Sequence, residues 1–352
     1  MNISITKTKN SRIGSIDFDN LAFGRVFSDH MFVCDYEDGE WKDARIVPFD
    51  YIPMHPAMMG IHYGQSIFEG MKATKSHDGA PLLFRPKMHV RRINKSAYRM
   101  CMPEVPEQLF LDALHKLVEL DQAWIPPQEG SALYLRPYMF ASDEFIGVKP
   151  SKTYKMVIFT CPVGPYYAKP ISLYADTAYI RAAKGGTGEA KAAGNYGGSL
   201  LPARLAQEQG YDQIMWLDAK EFKYIQEVGT MNIFFVMNGK VVTPALTGTI
   251  LDGITRNSVL TILRDKGYEV EERAITIDEV VEAYQAGELE EVFGSGTAAV
   301  IAKISRIKYQ EVVMELSTIN RVGDEVKAAI NGIRAQKLED KFAWIVPVGS
   351  IG

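Results

Sequence analysis

The sequence predicts an α+β chain of two domains. Three observations carry this. The chain has 352 residues, more than a single core of ordinary size holds. In the first half, strand patterns follow one another through turns instead of alternating with helices, so a βαβ sheet is not expected there. A proline-rich run, "CPVGPYYAKP" (161–170), then interrupts two well-patterned halves. The expected division is 1–163, a linker at 164–174, and 175–352.

The elements follow in order. Residues 30–49 alternate and contain Asp38-Gly39, which predicts a hairpin. "QSIFEGMKATKSHDGAPLLFRP" predicts a second, turning at Asp78-Gly79. A helix is expected over 87–100, led by Pro86, whose fixed φ suits a first helical position. Another over 106–122 places Leu109, Phe110, Ala113, Leu114, Leu117 and Val118 on one face. "ALYLRPYMF" (132–140) and "YKMVIFT" (154–160) read as buried strands. In the linker, Tyr166 and Tyr167 either wall a cleft or pack the linker down.

The second half opens with a strand near 171–182. A helix over 200–209 stops at Gly210. "DQIMWLD", "YIQEVG" and "MNIFFVMNGKVVTPA" are strands, the last folding back at Asn238-Gly239. Helices are expected over 254–266 and 277–287. "LEEVFGSGTAAVIAKISRIKY" predicts a strand, a glycine turn and a further strand or short helix.

Composition excludes several classes of function. The formal net charge is −4 with no long run of one sign, so neither nucleic acid nor a membrane surface is an expected partner. No apolar run is long enough to span a bilayer, and the N-terminus lacks the apolar centre of a signal peptide. Cys34, Cys101 and Cys161 are far apart, which implies neither a disulfide framework nor a CxxC site; a reducing cytoplasm is expected. His55 and His62 are not at a ligand spacing and no HExxH occurs, so no metal is expected.

Chemistry concentrates in three places. "TGTILDGITRNSV" (247–259) delivers a glycine loop onto a helix N-terminus, where the N–H groups of Ile254 and Thr255 favour an anion; Asp252 is also a possible N-cap. "EVFGSGTAAV" (291–300) makes an anion nest or an ordinary turn, with Thr297 adding a hydroxyl. No P-loop motif is present, and the lone G-x-G at 186–188 fits a dinucleotide site poorly. The third place is "GGTGEAKAAGNYGG" (185–198), where Lys191 sits among glycines and alanines. Glu227 stands in an otherwise apolar strand. Both charges are costly to bury. Desolvation lowers a lysine pKa and suits it to Schiff-base chemistry; the plain alternative is a salt bridge between the two. A lysine, an unexplained carboxylate and two phosphate-sized nests together point to pyridoxal phosphate.

These residues resemble the branched-chain amino acid aminotransferases of the fold-type IV pyridoxal phosphate enzymes. The matching pieces include "HYGQSIFEGMKA" (62–73), "LYLRPY" (133–138), "KAAGNYG" (191–197), "EVGTMNIF" (227–234) and "EVFGSGTAAV" (291–300). The resemblance implies a small N-terminal α+β domain and a larger C-terminal domain with a barrel-like sheet flanked by helices. It implies that Lys191 holds the cofactor as a Schiff base, Glu227 faces the ring nitrogen and Tyr196 bonds the phenolic oxygen. Arg92, or its neighbour Arg91, would clamp the phosphate with Ile254, Thr255 and Thr297. The turn at Thr297-Ala298 would meet the substrate carboxylate. Phe68, Tyr134 and Tyr166 would line the side-chain pocket, and Arg136 would meet a second carboxylate or serve an interface ion pair. Tyr63 and Ile146 would come from the partner subunit of a homodimer. The implied substrates are L-leucine, L-isoleucine, L-valine, L-glutamate and their 2-oxo acids. A D-amino acid aminotransferase or an aminodeoxychorismate lyase of the same fold group is the alternative.

Overall fold

In the computed structural model, which describes residues 1–164 and 169–349, all three Asx-Gly pairs lie in the turns between paired strands, as expected. Asp38 and Gly39 have φ of 55° and 85°, and Asn238 and Gly239 have 52° and 73°. Two successive positive φ values match the right-handed twist of the flanking strands. The first hairpin joins β2 (His30–Glu37) to β3 (Glu40–Pro48), which takes a short parallel neighbour, β1 (Ser4–Ile5). After α1 (Met59–Tyr63), the expected second hairpin divides. β4 (Ser66–Phe68) is separate, and β5 (Met71–Lys75) pairs with β6 (Pro81–Phe84). α2 (Pro86–Arg99) begins at Pro86. α3 (Glu107–Leu120) buries the six apolar residues named above. β7 (Ala132–Ala141) and β8 (Tyr154–Val163) complete this stretch.

Beyond the linker, β9 (Ile171–Ala175) is shorter than the strand expected at 171–182. Asp176 ends it by accepting from the Ala178 N–H at 2.6 Å, a local turn that competes with the ladder. A short helix, α4 (Ala193–Gly197), forms in the glycine-rich loop where none was expected, and α5 (Leu200–Glu208) follows. Then come β10 (Gln213–Leu217), β11 (Ile225–Val228), β12 (Asn232–Met237), β13 (Lys240–Pro244), α6 (Ile254–Asp265), β14 (Val270–Arg273), α7 (Ile277–Ala286) and β15 (Leu289–Gly296). β16 (Val300–Tyr309) is a strand, not a helix, and pairs with β17 (Val312–Glu315). The chain ends with α8 (Arg321–Arg334) and β18 (Ile345–Pro347).

Two compact units result. One comprises Met1–Tyr166, Ala190–Gly194 and Asn331–Gly352; the other comprises Tyr167–Glu189 and Asn195–Ile330. The sequence reading places all of 175–352 in one domain. The difference comes from long-range pairing that local pattern does not reveal: β18 lies antiparallel on β6, and Ala192 bridges Ile67. The first unit's sheet runs β1-β3-β2-β8-β7-β5-β6-β18, with β4 also on β7. α2 and α3 contribute to its core with Val90, Ile93, Phe110 and Leu114. The second unit's sheet runs β11-β10-β9-β16-β15-β12-β13-β14, with β17 on β16. Bridges at Tyr224–Thr276 and Val228–Met231 curl this path back on itself, which gives it a barrel-like character.

Candidate active site

In the first unit the site is built around Phe68, Glu69 and Gly70, which link β4 to β5. Glu69 is 0% exposed. A buried carboxylate destabilises a fold unless it is paired. Arg92 on α2 pairs it twice, with Nε donating to Oε1 at 2.7 Å and Nη2 to Oε2 at 2.8 Å. His89, one turn earlier, brings Nδ1 to 2.7 Å from Oε2. Burial pushes the Glu69 carboxyl up, but the Arg92 charge and the hydrogen bonds from Arg92 and His89 outweigh it, so it lies far below the usual carboxylate range. Burial holds the His89 ring below its ordinary value against the pull of Glu69, and the Arg92 and Lys191 charges lower it further. A neutral ring beside an ionised carboxylate donates from Nδ1, so its Nε2 carries the lone pair.

The residues on either side of Glu69 are equally constrained. A Cβ at Gly70 would stand 2.0 Å from Tyr134 Oη. That hydroxyl accepts from Arg136 Nη2 at 3.2 Å, and the Arg136 guanidinium lies 4.7 Å from the Phe68 ring centroid and 5.4 Å from that of Tyr134. Among the described residues, buried Arg136 Nε has no hydrogen-bond partner. The amine of Lys191 is 4.7 Å from the same Phe68 ring. Its backbone is fixed at both ends: the N–H donates to Ser96 Oγ at 2.9 Å and the carbonyl accepts from the Phe68 N–H at 3.0 Å. The structure thus brings Lys191, Phe68, Arg92, Tyr134 and Arg136 into one neighbourhood. Arg92 is buried whereas Arg91 is exposed, which favours Arg92 of the two. Tyr63 and Ile146 are 41% and 64% exposed. Tyr166 lies outside the described residues.

In the second unit Glu227, on β11, is 4% exposed. Its Oε1 accepts from Arg181 Nη2 at 2.9 Å and from the Leu251 N–H at 2.6 Å. The same Nη2 lies 2.8 Å from the Gly188 carbonyl and 3.1 Å from that of Thr249. One guanidinium therefore ties β11 to the loop before Lys191 and to the loop before α6. α6 has Gly253 as its N-cap, with no side-chain cap; Asp252 stands one residue too early for that role. A Cβ at Gly253 would lie 2.0 Å from Asn232 Oδ1, and Asn232 Nδ2 donates to the Leu251 carbonyl at 3.0 Å. Ile254 and Thr255 form the first turn, at the positive end of the helix dipole. Thr297 and Ala298 form the half-buried turn between β15 and β16. Tyr196 is half-buried in α4. Next to it, Asn195 accepts from Thr187 Oγ1 at 2.7 Å and donates to the Thr187 carbonyl at 2.8 Å, pinning the loop.

Sequence reasoning missed Glu69, His89 and Arg181. The rule that singled out Glu227, a carboxylate inside an apolar stretch, applies equally to Glu69 in "SIFEGM". Arg181 has no such signal, because its partner lies on a different strand.

The family model for class IV amino-transferases matches residues 66–307. The chain belongs to the class IV aminotransferases. This aminotransferase is 45% identical to branched-chain-amino-acid aminotransferase 2 of Bacillus subtilis strain 168, over 99% of its own length and 97% of that relative. It resembles the crystal structure of the Escherichia coli branched-chain amino acid aminotransferase with a TM-score of 0.76 at 28% identity, over 91% of this chain and 99% of that one. The branched-chain aminotransferase of the thermophilic archaeon Thermoproteus uzoniensis, solved with norvaline, also gives 0.76, at 26% identity over 91% and 99% of the chains.

Class IV aminotransferases are pyridoxal-phosphate-dependent transaminases. The aminotransferase's residues fit that group. Pyridoxal phosphate needs an amine, an ionised acid for its ring nitrogen and an anion site. Lys191 carries an amine and is held at its backbone on both sides. Glu227 is a buried carboxylate whose Oε1 accepts from a guanidinium and a backbone N–H. α6 offers an N-terminus whose N-cap is a glycine. Among the described residues no cluster could hold a metal ion, and no helix is long and apolar enough to cross a membrane.

Proposed function

We propose that this chain catalyses reversible amino transfer between L-leucine, L-isoleucine or L-valine and 2-oxoglutarate, with Lys191 as the covalent anchor and proton carrier. The observation that carries this is Lys191 itself: a lysine clamped at its backbone N–H and carbonyl, with its amine over an aromatic ring. Relatives named as branched-chain enzymes support the substrate class and do not favour a D-amino acid aminotransferase or an aminodeoxychorismate lyase.

Pyridoxal phosphate supplies an electron-accepting ring that stabilises negative charge at the substrate's α-carbon. The protein does the rest. Lys191 Nζ takes the α-proton as general base and returns one as general acid. Glu227 would hold a proton at the ring nitrogen, and Tyr196 would donate to the phenolic oxygen. Arg92, the Ile254 and Thr255 N–H groups and the Thr297 hydroxyl would bind the phosphate. The Thr297-Ala298 turn receives the α-carboxylate. Phe68, Tyr134 and Tyr166 enclose an aliphatic side chain, and Arg136 meets the second carboxylate of glutamate. We place the working form as a cytoplasmic homodimer, with Tyr63 and Ile146 of each chain serving the other's pocket; their exposure supports that.

The test is an assay of L-leucine, L-isoleucine and L-valine with 2-oxoglutarate, against D-alanine as control. It is paired with borohydride reduction and peptide mapping. A pyridoxyl label on Lys191 and turnover of the L-amino acids are expected. Preferential turnover of D-alanine, or a label elsewhere, overturns the reading.

A further inference from the structure

We propose that Glu69 is a positioning residue for the phosphate group of the cofactor, acting through Arg92. The inference rests on the reading above, in which Arg92 binds that phosphate.

The argument begins with the guanidinium. It is planar and presents five N–H donors in a fixed fork. Glu69 takes the Nε–Nη2 edge in two hydrogen bonds of 2.7 and 2.8 Å. A bidentate carboxylate fixes the plane as well as the position of its partner. The plane of the Arg92 guanidinium is thereby set before an anion arrives. Glu69 is itself immovable. Its own N–H donates to the Pro137 carbonyl at 2.7 Å, and the residues on either side are tied to Lys191 and packed against Tyr134. A shift of Glu69 would therefore move Arg92 relative to the lysine backbone. Without Glu69, Arg92 would be a buried cation that has lost its fully buried counter-ion and the two hydrogen bonds that fix its plane.

His89 completes the device. Its Nδ1–H donates to Oε2, the oxygen that also receives Arg92 Nη2. A glutamine at 69 would offer only one acceptor oxygen to four donor groups: Arg92 Nε and Nη2, His89 Nδ1 and the Gly70 N–H at 3.3 Å. It would place an amide N–H against either Arg92 or His89. His89 can relieve this by moving its proton to Nε2, but Arg92 loses one arm of the fork.

A phosphate-specific effect separates positioning from general damage. The apoenzymes of wild type, Glu69→Gln, Glu69→Asp and Arg92→Met would be titrated with pyridoxal phosphate and, separately, with pyridoxal, which has no phosphate. The readouts are the visible absorbance and the quenching of intrinsic fluorescence. The wild type is expected to prefer pyridoxal phosphate. Glu69→Gln is expected to lose at least tenfold of that preference, as Arg92→Met does, while its affinity for pyridoxal changes less than threefold. Glu69→Asp keeps the charge but shortens the reach, and is expected to fall between. Thermal melts of the apo forms check folding; if Glu69→Gln fails to fold, Glu69→Asp decides by the same ratio. An unchanged or increased preference in the folded variant overturns the proposal. A wild type with no preference, or an Arg92→Met variant that keeps it, overturns the Arg92 reading itself.

Discussion

Lys191 shows how much a single side chain depends on its backbone. The Ser96 and Phe68 contacts leave its main chain little freedom, so the amine proposed to react starts from one place. Lys191→Ala should lower turnover by about a thousandfold or more, the scale of general acid–base catalysis, and should abolish the borohydride label. Steady-state rates at saturating L-leucine check the first outcome and peptide mapping the second. The cysteines give a second prediction at this scale. Burial pushes the Cys34 and Cys161 thiols up to about 11, while Cys101 is exposed. A thiol reagent at pH 8 should modify Cys101 quickly and the other two only in denaturant. Rapid labelling of two or more thiols in the native protein would contradict the burial.

Elements in this chain are held by a few polar side chains placed where helices and turns begin. The N-terminus of α8 is one case. Glu291 is buried, and its carboxylate accepts from the Val322 N–H at 2.9 and 3.1 Å and from the Gly323 N–H at 3.2 Å. Glu291→Ala leaves those donors buried without the carboxylate and should cost about 1–3 kcal/mol, seen as a lower urea midpoint with an unchanged slope. The β4–β5 link is another case. Gly70→Ala forces a Cβ to 2.0 Å from Tyr134 Oη, so either Tyr134 moves or the link does. Overpacking of this kind costs about 1–3 kcal/mol, and a thermal melt should register it.

Legibility at this scale followed the physics of each element. The hairpins at Asp38-Gly39 and Asn238-Gly239, and the helix after Pro86, were readable because their turn and start residues are chemically specific. α8 was not read. Val322, Val326, Ile330 and Ile333 recur at helical spacing and are buried, but Gly323 and Gly332 weaken the local propensity. Lys191 and Glu227 stood out because each is a charge in an apolar setting. Arg181 did not, since a cation in a loop looks ordinary until its partner strand is known.

The whole molecule responds to acid through groups whose pKa values folding depresses. His89 and His115 lie below their ordinary value of 6.5, each chiefly through burial. The unfolded chain therefore binds protons there first, and stability should begin to fall as pH drops below that value. Glu69, Asp29, Asp35 and Glu272 are likewise held below their usual range: their ion pairs and hydrogen bonds outweigh burial. Their contribution is present above the unfolded carboxylate values near 4 and is lost below them. Melting temperature should thus decline in two stages, gently from about pH 6.5 and steeply below about pH 4.5. A flat profile across the upper stage would show that the histidines do not contribute.

Strand β18 arrives from the far end of the chain to pair with β6, and residues 190–194 are likewise borrowed from the middle. Cutting the gene at the proline-rich run therefore cannot yield two self-sufficient products. An N-terminal fragment ending there would expose the flank of β6 as an unguarded edge and lack Lys191, the proposed anchor, so it should aggregate and bind no cofactor. Co-expression with its complement is the arrangement under which both halves have the parts they need.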